Sequence, residues 1–360
     1  MRKYFISFSL LLAVLLFGGQ GCIFGQSDTP QTTGPSGMFV SVDKGETWKV
    51  ISSLPTVEGV KQLTGANVYR VVEDPQDPKA LYWASRANGL FYSFNDGRSW
   101  QRPSAPVNSS FIYDVAIHPE DRCTIYTTNA RVVYKTEDCG RSWEEVYQEG
   151  RPADIITSVS FDPFESHHIY LTETNGDLLK STDLGKTWSV VKRFGVYIRD
   201  VEFDSNKKDL MYVVTREEGL FRSRDGGSTW ESLADKLKVY PGALTYRRFL
   251  IYPSNPDQIY WISKYGVLVS RNAGDDWESI NLVTPPGSVD IYGFAVSPLN
   301  DKEIYYTGSI NYKSTFYRSM NGGETWETRR LPSGQLPTEL RAHGENDGWL
   351  YLGFTNPSTI

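Results

Sequence analysis

The chain has 360 residues, with 37 lysines and arginines against 43 aspartates and glutamates, and a net charge of −6. An acidic balance of this kind offers no basic surface to a phosphate backbone, so nucleic acid is excluded as a partner. The only histidines, His118, His167, His168 and His343, have no ligand-like spacing, which removes zinc sites and His-dependent triads. The glycines fall in turns, not in a phosphate-binding loop ahead of a helix, and no cofactor or metal is expected.

In chain order, Arg2 and Lys3 precede an apolar run from Tyr4 to Phe17 and then Gly18-Gly19-Gln20-Gly21-Cys22. The run is short for a membrane span and reads as an export signal over residues 1–21. Cys22 resembles the lipobox cysteine of bacterial lipoproteins, which implies a lipid anchor on Cys22 and attachment to a membrane at the cell envelope, periplasmic or outer. Gly19 stands where that motif usually has leucine, so simple cleavage and secretion remains the alternative. Residues 22–37, rich in Gly, Gln, Ser, Thr and Pro, read as a flexible tether.

From residue 38 onward one eight-residue pattern recurs seven times, beginning at Ser41, Ser93, Thr136, Ser181, Ser223, Ser270 and Ser319 and ending at Trp48, Trp100, Trp143, Trp188, Trp230, Trp277 and Trp326. Its third residue is an aspartate or asparagine that can accept backbone N–H bonds. Its fifth is always glycine, which takes positive φ freely, and the closing tryptophan carries aromatic surface to bury between repeats. A period of ~40 to 50 residues with one turn signature per unit is that of a propeller with one four-stranded blade per repeat.

The pattern resembles the Asp-box, or bacterial neuraminidase repeat, of sialidases, xyloglucanase-type glycoside hydrolases, the sortilin luminal domain and the photosystem II assembly factors. In those families the box is a structural turn, and the resemblance implies the same here.

A weaker signature precedes each box, as in Val71-Val72-Glu73-Asp74-Pro75 with Leu81-Tyr82 and Val115-Ala116-Ile117-His118-Pro119 with Ile125-Tyr126. These are strands one and two, alternating in polarity and broken by proline turns. At the ends, Gly37 to Leu54 holds only strands three and four, whereas Leu340 to His343 and Gly348 to Gly353 look like strands one and two. The expectation is an all-β, seven-bladed propeller over residues 38–360, closed by C-terminal strands pairing with N-terminal ones, which removes the open sheet edge.

Cys123 and Cys139 fall in two turns of one repeat that emerge on the same face. In an exported protein they are a candidate disulfide, with two unpaired thiols as the alternative.

The box turns occupy one face, so ligand-binding loops belong on the other, around the channel mouth. Aligning the repeats brings Tyr69, Arg70, Tyr113, Asp114, Arg199, Asp200, Arg247, Arg248, Tyr292 and Arg341 to the starts of the inner strands, with Arg86, Arg131, Glu173, Arg216, Lys264 and Tyr312 among the nearby 2–3 loop residues. Arginine and tyrosine anchor interfaces and clamp carboxylates. The bland alternative is that Arg70, Asp114, Arg199, Asp200 and Arg248 pair with one another and hold a polar channel together.

The expected role is a non-enzymatic, monomeric scaffold that binds a protein or peptide partner through this face. The alternative is a glycan-active propeller, hydrolytic or carbohydrate-binding, with Asp114 and Asp200 as the carboxylate pair. Two blades apart across the channel, these suit the ~6.5 to 9.5 Å of inversion better than the ~5 to 5.5 Å of retention.

Overall fold

A computed structural model describes residues 32–359, apart from residue 256. The leader, Cys22 and the first part of the tether lie outside the described residues. Seven sheets are arranged as seven blades, each with its first strand innermost. Blade 2 is representative, with strands Asp114–Ile117, Ile125–Thr128, Val132–Thr136 and Glu144–Gln148 paired antiparallel in sequence order. Blades 3 to 6 repeat the plan from inner strands Ile156–Phe161, Ile198–Phe203, Tyr246–Ile251 and Asp290–Ser297.

The ring closes through blade 7. Its inner strands Leu336–Ala342 and Leu350–Thr355 come from the C-terminal end, and its outer strands Gly37–Ser41 and Lys49–Val50 from the N-terminal end. Phe39 pairs with Leu352 and Val40 with Tyr351 across the seam. As the sequence leads one to expect, the two half-blades make one sheet.

Blade 1 departs from the plan. Three strands, Val68–Asp74, Asp77–Ser85 and Leu90–Ser93, are regular, while the fourth shrinks to a bridge between Tyr92 and Gln101. Pro103 follows closely and cannot donate to a ladder. An added hairpin, Ser53–Thr56 with Gly59–Gln62, precedes this blade. Its base is tied to the blade by the Trp100 N–H, which donates to the Ser53 carbonyl at 2.8 Å, and Leu54 packs in one cluster with Ile51, Trp83 and Trp100.

The box turn is built as its chemistry requires. In the first copy the Gly45 N–H donates to Ser41 Oγ at 2.8 Å, Ser41 Oγ to Asp43 Oδ1 at 2.7 Å, and the Thr47 N–H to the same Oδ1 at 2.9 Å. The same contacts recur around Asp183, whose carboxyl is held down at about 2, first by the Thr187 hydroxyl and then by its N–H. Glycine is needed for space as well as for φ, because a Cβ on Gly45 would lie 2.4 Å from the Phe316 ring of the preceding blade. The residue before each box glycine is also left-handed, from Lys44 to Leu184 and Ala273, which the pattern does not reveal. Only Trp100 and Trp277 of the seven box tryptophans are fully buried; the others are half-exposed lids over the turn.

Burial lies between blades. Tyr212, Val214 and Leu220 of blade 4 interlock with Phe249, Trp261 and Leu268 of blade 5 in the largest cluster. Cys123 and Cys139, on the box face, are brought together as a disulfide.

Candidate functional site

The inner strands carry a shared irregularity. Each of six has a register shift near its mouth end, between Val68 and Arg70, Ile156 and Ser158, Ile198 and Asp200, Tyr246 and Arg248, Ile291 and Phe294, and Pro337 and Glu339. One extra residue leaves the ladder at each, and such bulges re-aim side chains. Tyr69, Thr157, Arg199, Arg247, Tyr292 and Thr338 occupy these positions, and the residue after the bulge rejoins the strand deeper in the channel. The bulges therefore sort the predicted residues into two layers.

The deeper layer is a set of closed ion pairs. Arg70 Nη1 lies 2.7 Å from Asp200 Oδ2 and 3.1 Å from Asp114 Oδ1, and its Nη2 is 3.7 Å from Glu202. Asp114 is buried and also accepts the N–H groups of Val115 at 2.8 Å and Val159 at 3.1 Å. Burial pushes the Asp114 carboxyl up, and neighbouring Asp200 adds to this against the pull of Arg70. Burial likewise raises Glu202, helped by Asp200. Across the channel Arg248 forms a bidentate pair with Glu339 of blade 7, both contacts at 2.8 Å.

The position of Arg341 corrects the repeat alignment. Glu339, not Arg341, stands level with Arg70 and Arg248, because the last inner strand begins at Leu336 and runs through Pro337, which reads as a strand breaker in the sequence. Arg341 sits two residues deeper and pairs with Glu73 at 3.1 Å.

The geometry also corrects the carboxylate spacing. The nearest oxygens of Asp114 and Asp200 touch the same guanidinium nitrogen, so they can be no farther apart than those two contacts laid end to end. That is short of the ~6.5 Å at which an inverting pair begins. Both groups are buried and shared with Arg70, and only Asp200 reaches the channel, so the two do not face a glycosidic oxygen as a pair.

The mouth layer is different. Arg199 Nη2 donates to the Tyr69 hydroxyl at 3.1 Å across the channel, and no carboxylate pairs with it among the described residues. Arg86, from the 2–3 loop of blade 1, lies over the rings of Tyr69 and Phe111 at 5.1 and 5.5 Å. Its Nε is buried without a hydrogen-bond partner, and burial lowers its pKa. Phe111 stacks on Tyr113 at 4.0 Å and meets Tyr69 edge-on at 4.9 Å. On the far rim Arg247 is paired with Asp290 at 2.8 Å and lies over Tyr292 at 5.8 Å. Arg216 lies over Tyr197 at 5.4 Å.

A cavity of about 1130 Å³ runs the length of the channel, from Arg86 and Arg216 at this mouth to Ser205, Pro253 and Pro298 in the turns after the inner strands at the other end. It is lined by nine of the ten predicted residues, and Asp114, walled off behind Arg70, is the exception. Phe111, which lies under Arg86 and backs Tyr113, was not singled out from the sequence. It lies two residues before Tyr113, in a loop where no repeat signature calls attention to it. Elsewhere on the mouth side, Arg151 is surrounded by Glu149, Asp154, Glu173 and Asp177. Among the described residues no group of His, Cys, Asp and Glu is arranged to hold a metal ion.

Fold and site together define a seven-bladed propeller with a ligand-sized cavity along its channel. Residues 36–149 and 131–241 match the family model described as Sortilin, neurotensin receptor 3. These matches take in more than half of the chain, which belongs to the Sortilin-Vps10 family. Among curated proteins it is similar to an oligoxyloglucan-reducing end-specific xyloglucanase of Emericella nidulans, 31% identical over 137 residues, covering 36% of this chain and 16% of that protein. It is also similar to a xyloglucanase of a Paenibacillus species, 24% identical over 285 residues, covering 72% of this chain and 24% of that protein. The chain thus spans a quarter or less of the length of these relatives.

Two solved structures share the fold. The GH74 xyloglucanase from Xanthomonas campestris superposes with a TM-score of 0.64 at 18% identity, over 80% of this chain and 51% of that one. YCF48 bound to D1 peptide superposes with a TM-score of 0.59 at 13% identity, over 81% of this chain and 94% of that one.

Proposed function

We propose that this propeller is an exported glycan-binding module that holds saccharide at the arginine- and tyrosine-lined mouth of its channel and does not cleave it. The observation that carries the reading is the mouth itself, a concave site walled by Tyr69 and Tyr113, with Phe111 stacked behind Tyr113 and Arg86 and Arg199 at its edge. Aromatic faces suit the apolar C–H faces of pyranose rings, and the phenol and guanidinium groups supply directional hydrogen bonds to hydroxyls. Similarity in sequence to xyloglucan-acting proteins supports the saccharide over other ligands. Cleavage is left out because hydrolysis needs two reachable carboxylates, and Asp114 is walled off behind Arg70, which also holds Asp200.

Export rests on the leader over residues 1–21 and is in keeping with the Cys123–Cys139 disulfide, since such bonds persist outside the reducing cytoplasm. Anchoring through Cys22 belongs to the same proposal and is checked by mass spectrometry of the mature N-terminus. A second reading, a protein or peptide partner at the same mouth, is favoured by the two arginines without carboxylates, which would accept acidic side chains or a chain terminus.

The experiment is a glycan array followed by calorimetry with the hits and a parallel assay for released reducing ends. The proposal expects binding that Tyr113→Ala weakens, with no product. Turnover of any glycan would overturn the non-hydrolytic part, and binding that ignores changes at the mouth would overturn the site.

A further inference from the structure

We infer that the saccharide taken at this mouth is an acidic one, a hexuronate whose carboxylate is held by Arg86 and Arg199. The inference rests on the glycan-binding reading and narrows it.

Its basis is an imbalance confined to one place. The chain as a whole is acidic, with 43 carboxylate side chains against 37 cationic ones. The other half-buried arginines on this side are matched, Arg70 by Asp114 and Asp200, Arg247 by Asp290, Arg248 by Glu339, Arg341 by Glu73, and Arg131 by the backbone carbonyls of Glu149, Arg151 and Asp154. Arg86 and Arg199 are not. Arg86 makes no ion pair among the described residues and keeps a buried Nε with no acceptor, and Arg199 has phenol oxygens alone for company.

A guanidinium drawn partly out of water without an acceptor loses hydration, which ring faces offset only in part. Such a group is costly unless something else supplies the missing oxygens, and with carboxylates so abundant in this sequence their absence here is specific. Tyr69 links the pair, with its hydroxyl on Arg199 and its ring under Arg86, so one planar anion beside Tyr69 can reach both. A carboxylate matches the fork of a guanidinium, whereas a neutral sugar hydroxyl leaves the charge unmet. Tyr113, backed on one face by the stacked ring of Phe111, offers the ring of the same residue a flat surface. A hexuronate carries both features on one unit, a C–H face and a carboxylate at C5.

The test uses the mature protein and calorimetry with three probes: an oligogalacturonate, the same oligomer with its carboxylates reduced to hydroxymethyl groups, and a xyloglucan oligosaccharide. The expected result is that the oligogalacturonate binds, that reduction weakens it by about tenfold or more, and that Arg86→Gln and Arg199→Gln each weaken it by a similar factor. Binding should also weaken with salt, since one charge meets two at a half-open site. Arg199→Lys, which keeps the charge without the fork, guards against a misfolded glutamine variant and should fall between the two.

Equal affinity for the xyloglucan oligosaccharide, unchanged by Arg86→Gln, would overturn the acidic preference while leaving the glycan reading standing. Failure of every saccharide, with an acidic peptide binding in an Arg86-dependent manner, would overturn both.

Discussion

Two rings of side chains only one residue apart along the inner strands behave in opposite ways. The deeper ring is electrostatically closed, with Arg70 satisfying carboxylates from two other blades and Arg248 clasping Glu339. At the mouth Arg247 is paired with Asp290, but Arg199, and Arg86 from the neighbouring 2–3 loop, are left without carboxylates. The same residue type thus serves stability in one ring and is available to a ligand in the other. What divides them is the bulge, which turns neighbouring residues such as Arg199 and Asp200 to different depths.

The comparison breaks most sharply at Arg70. Replacing it by alanine strands Asp114 and Asp200 as buried, uncompensated carboxylates, and urea unfolding should show a loss of about 3 kcal/mol, the low end for breaking a buried pair because Arg70 is itself partly open to the channel. Adding Asp114→Asn and Asp200→Asn to Arg70→Ala should restore much of that loss. If the single variant were as stable as the parent, the deeper ring would not be structural.

Glu339→Gln tests the same ring at its other clasp. It leaves the bidentate Arg248 facing a neutral amide and should cost about 2 kcal/mol in the same assay, with no change in ligand binding at the mouth.

A smaller effect follows from pH. The Asp114 and Glu202 carboxyls are raised in the folded state, to about 7 and about 8. In the unfolded chain they titrate near pH 4, so between those values the folded protein binds more protons than the unfolded one. Their contribution is therefore fully present below about pH 4 and is lost as pH rises through 7 to 8. The melting temperature should fall over that window, and Glu202→Gln should flatten the fall. A parent profile that rises from pH 6 to 8 would contradict the assignment.

The smallest change in stability belongs to the mouth. Arg86→Gln and Arg199→Gln should move unfolding by no more than about 0.5 kcal/mol, in either direction, because no ion pair is lost. A loss as large as that of Arg70→Ala would erase the distinction between the rings.

Much of the fold was legible because the box states its own chemistry. Ser181, Asp183, Gly185 and Thr187 are each required by a specific contact, so seven copies count seven blades, and the strand fragments at the two ends imply the seam. The bulges were not legible. An extra residue in a strand changes no composition and needs no glycine, and Tyr69, Thr157 and Arg247 look like ordinary strand residues. That hidden residue is why the sequence could assemble the ring of arginines and tyrosines without telling apart its two depths. The turn between strands one and two hides a common role in a similar way. Asp74, His118, Asp162, Asp204, Ser297 and His343 all accept a backbone N–H from two residues on, so His118 and His343 are turn acceptors.

The first described residues leave the ring on the side of the mouth. The Thr32 hydroxyl donates to Gln335, whose amide donates to the Gly34 carbonyl, and Ser333 donates to the Pro35 carbonyl, all just ahead of the last inner strand. A chain held by its N-terminal end would therefore hang with the channel opening turned toward its point of attachment. Whatever enters would have to slide into the gap between ring and anchor, a gap no wider than ~3.3 to 3.6 Å for each residue of leash. The length of that leash would then act as a size filter on the ligand.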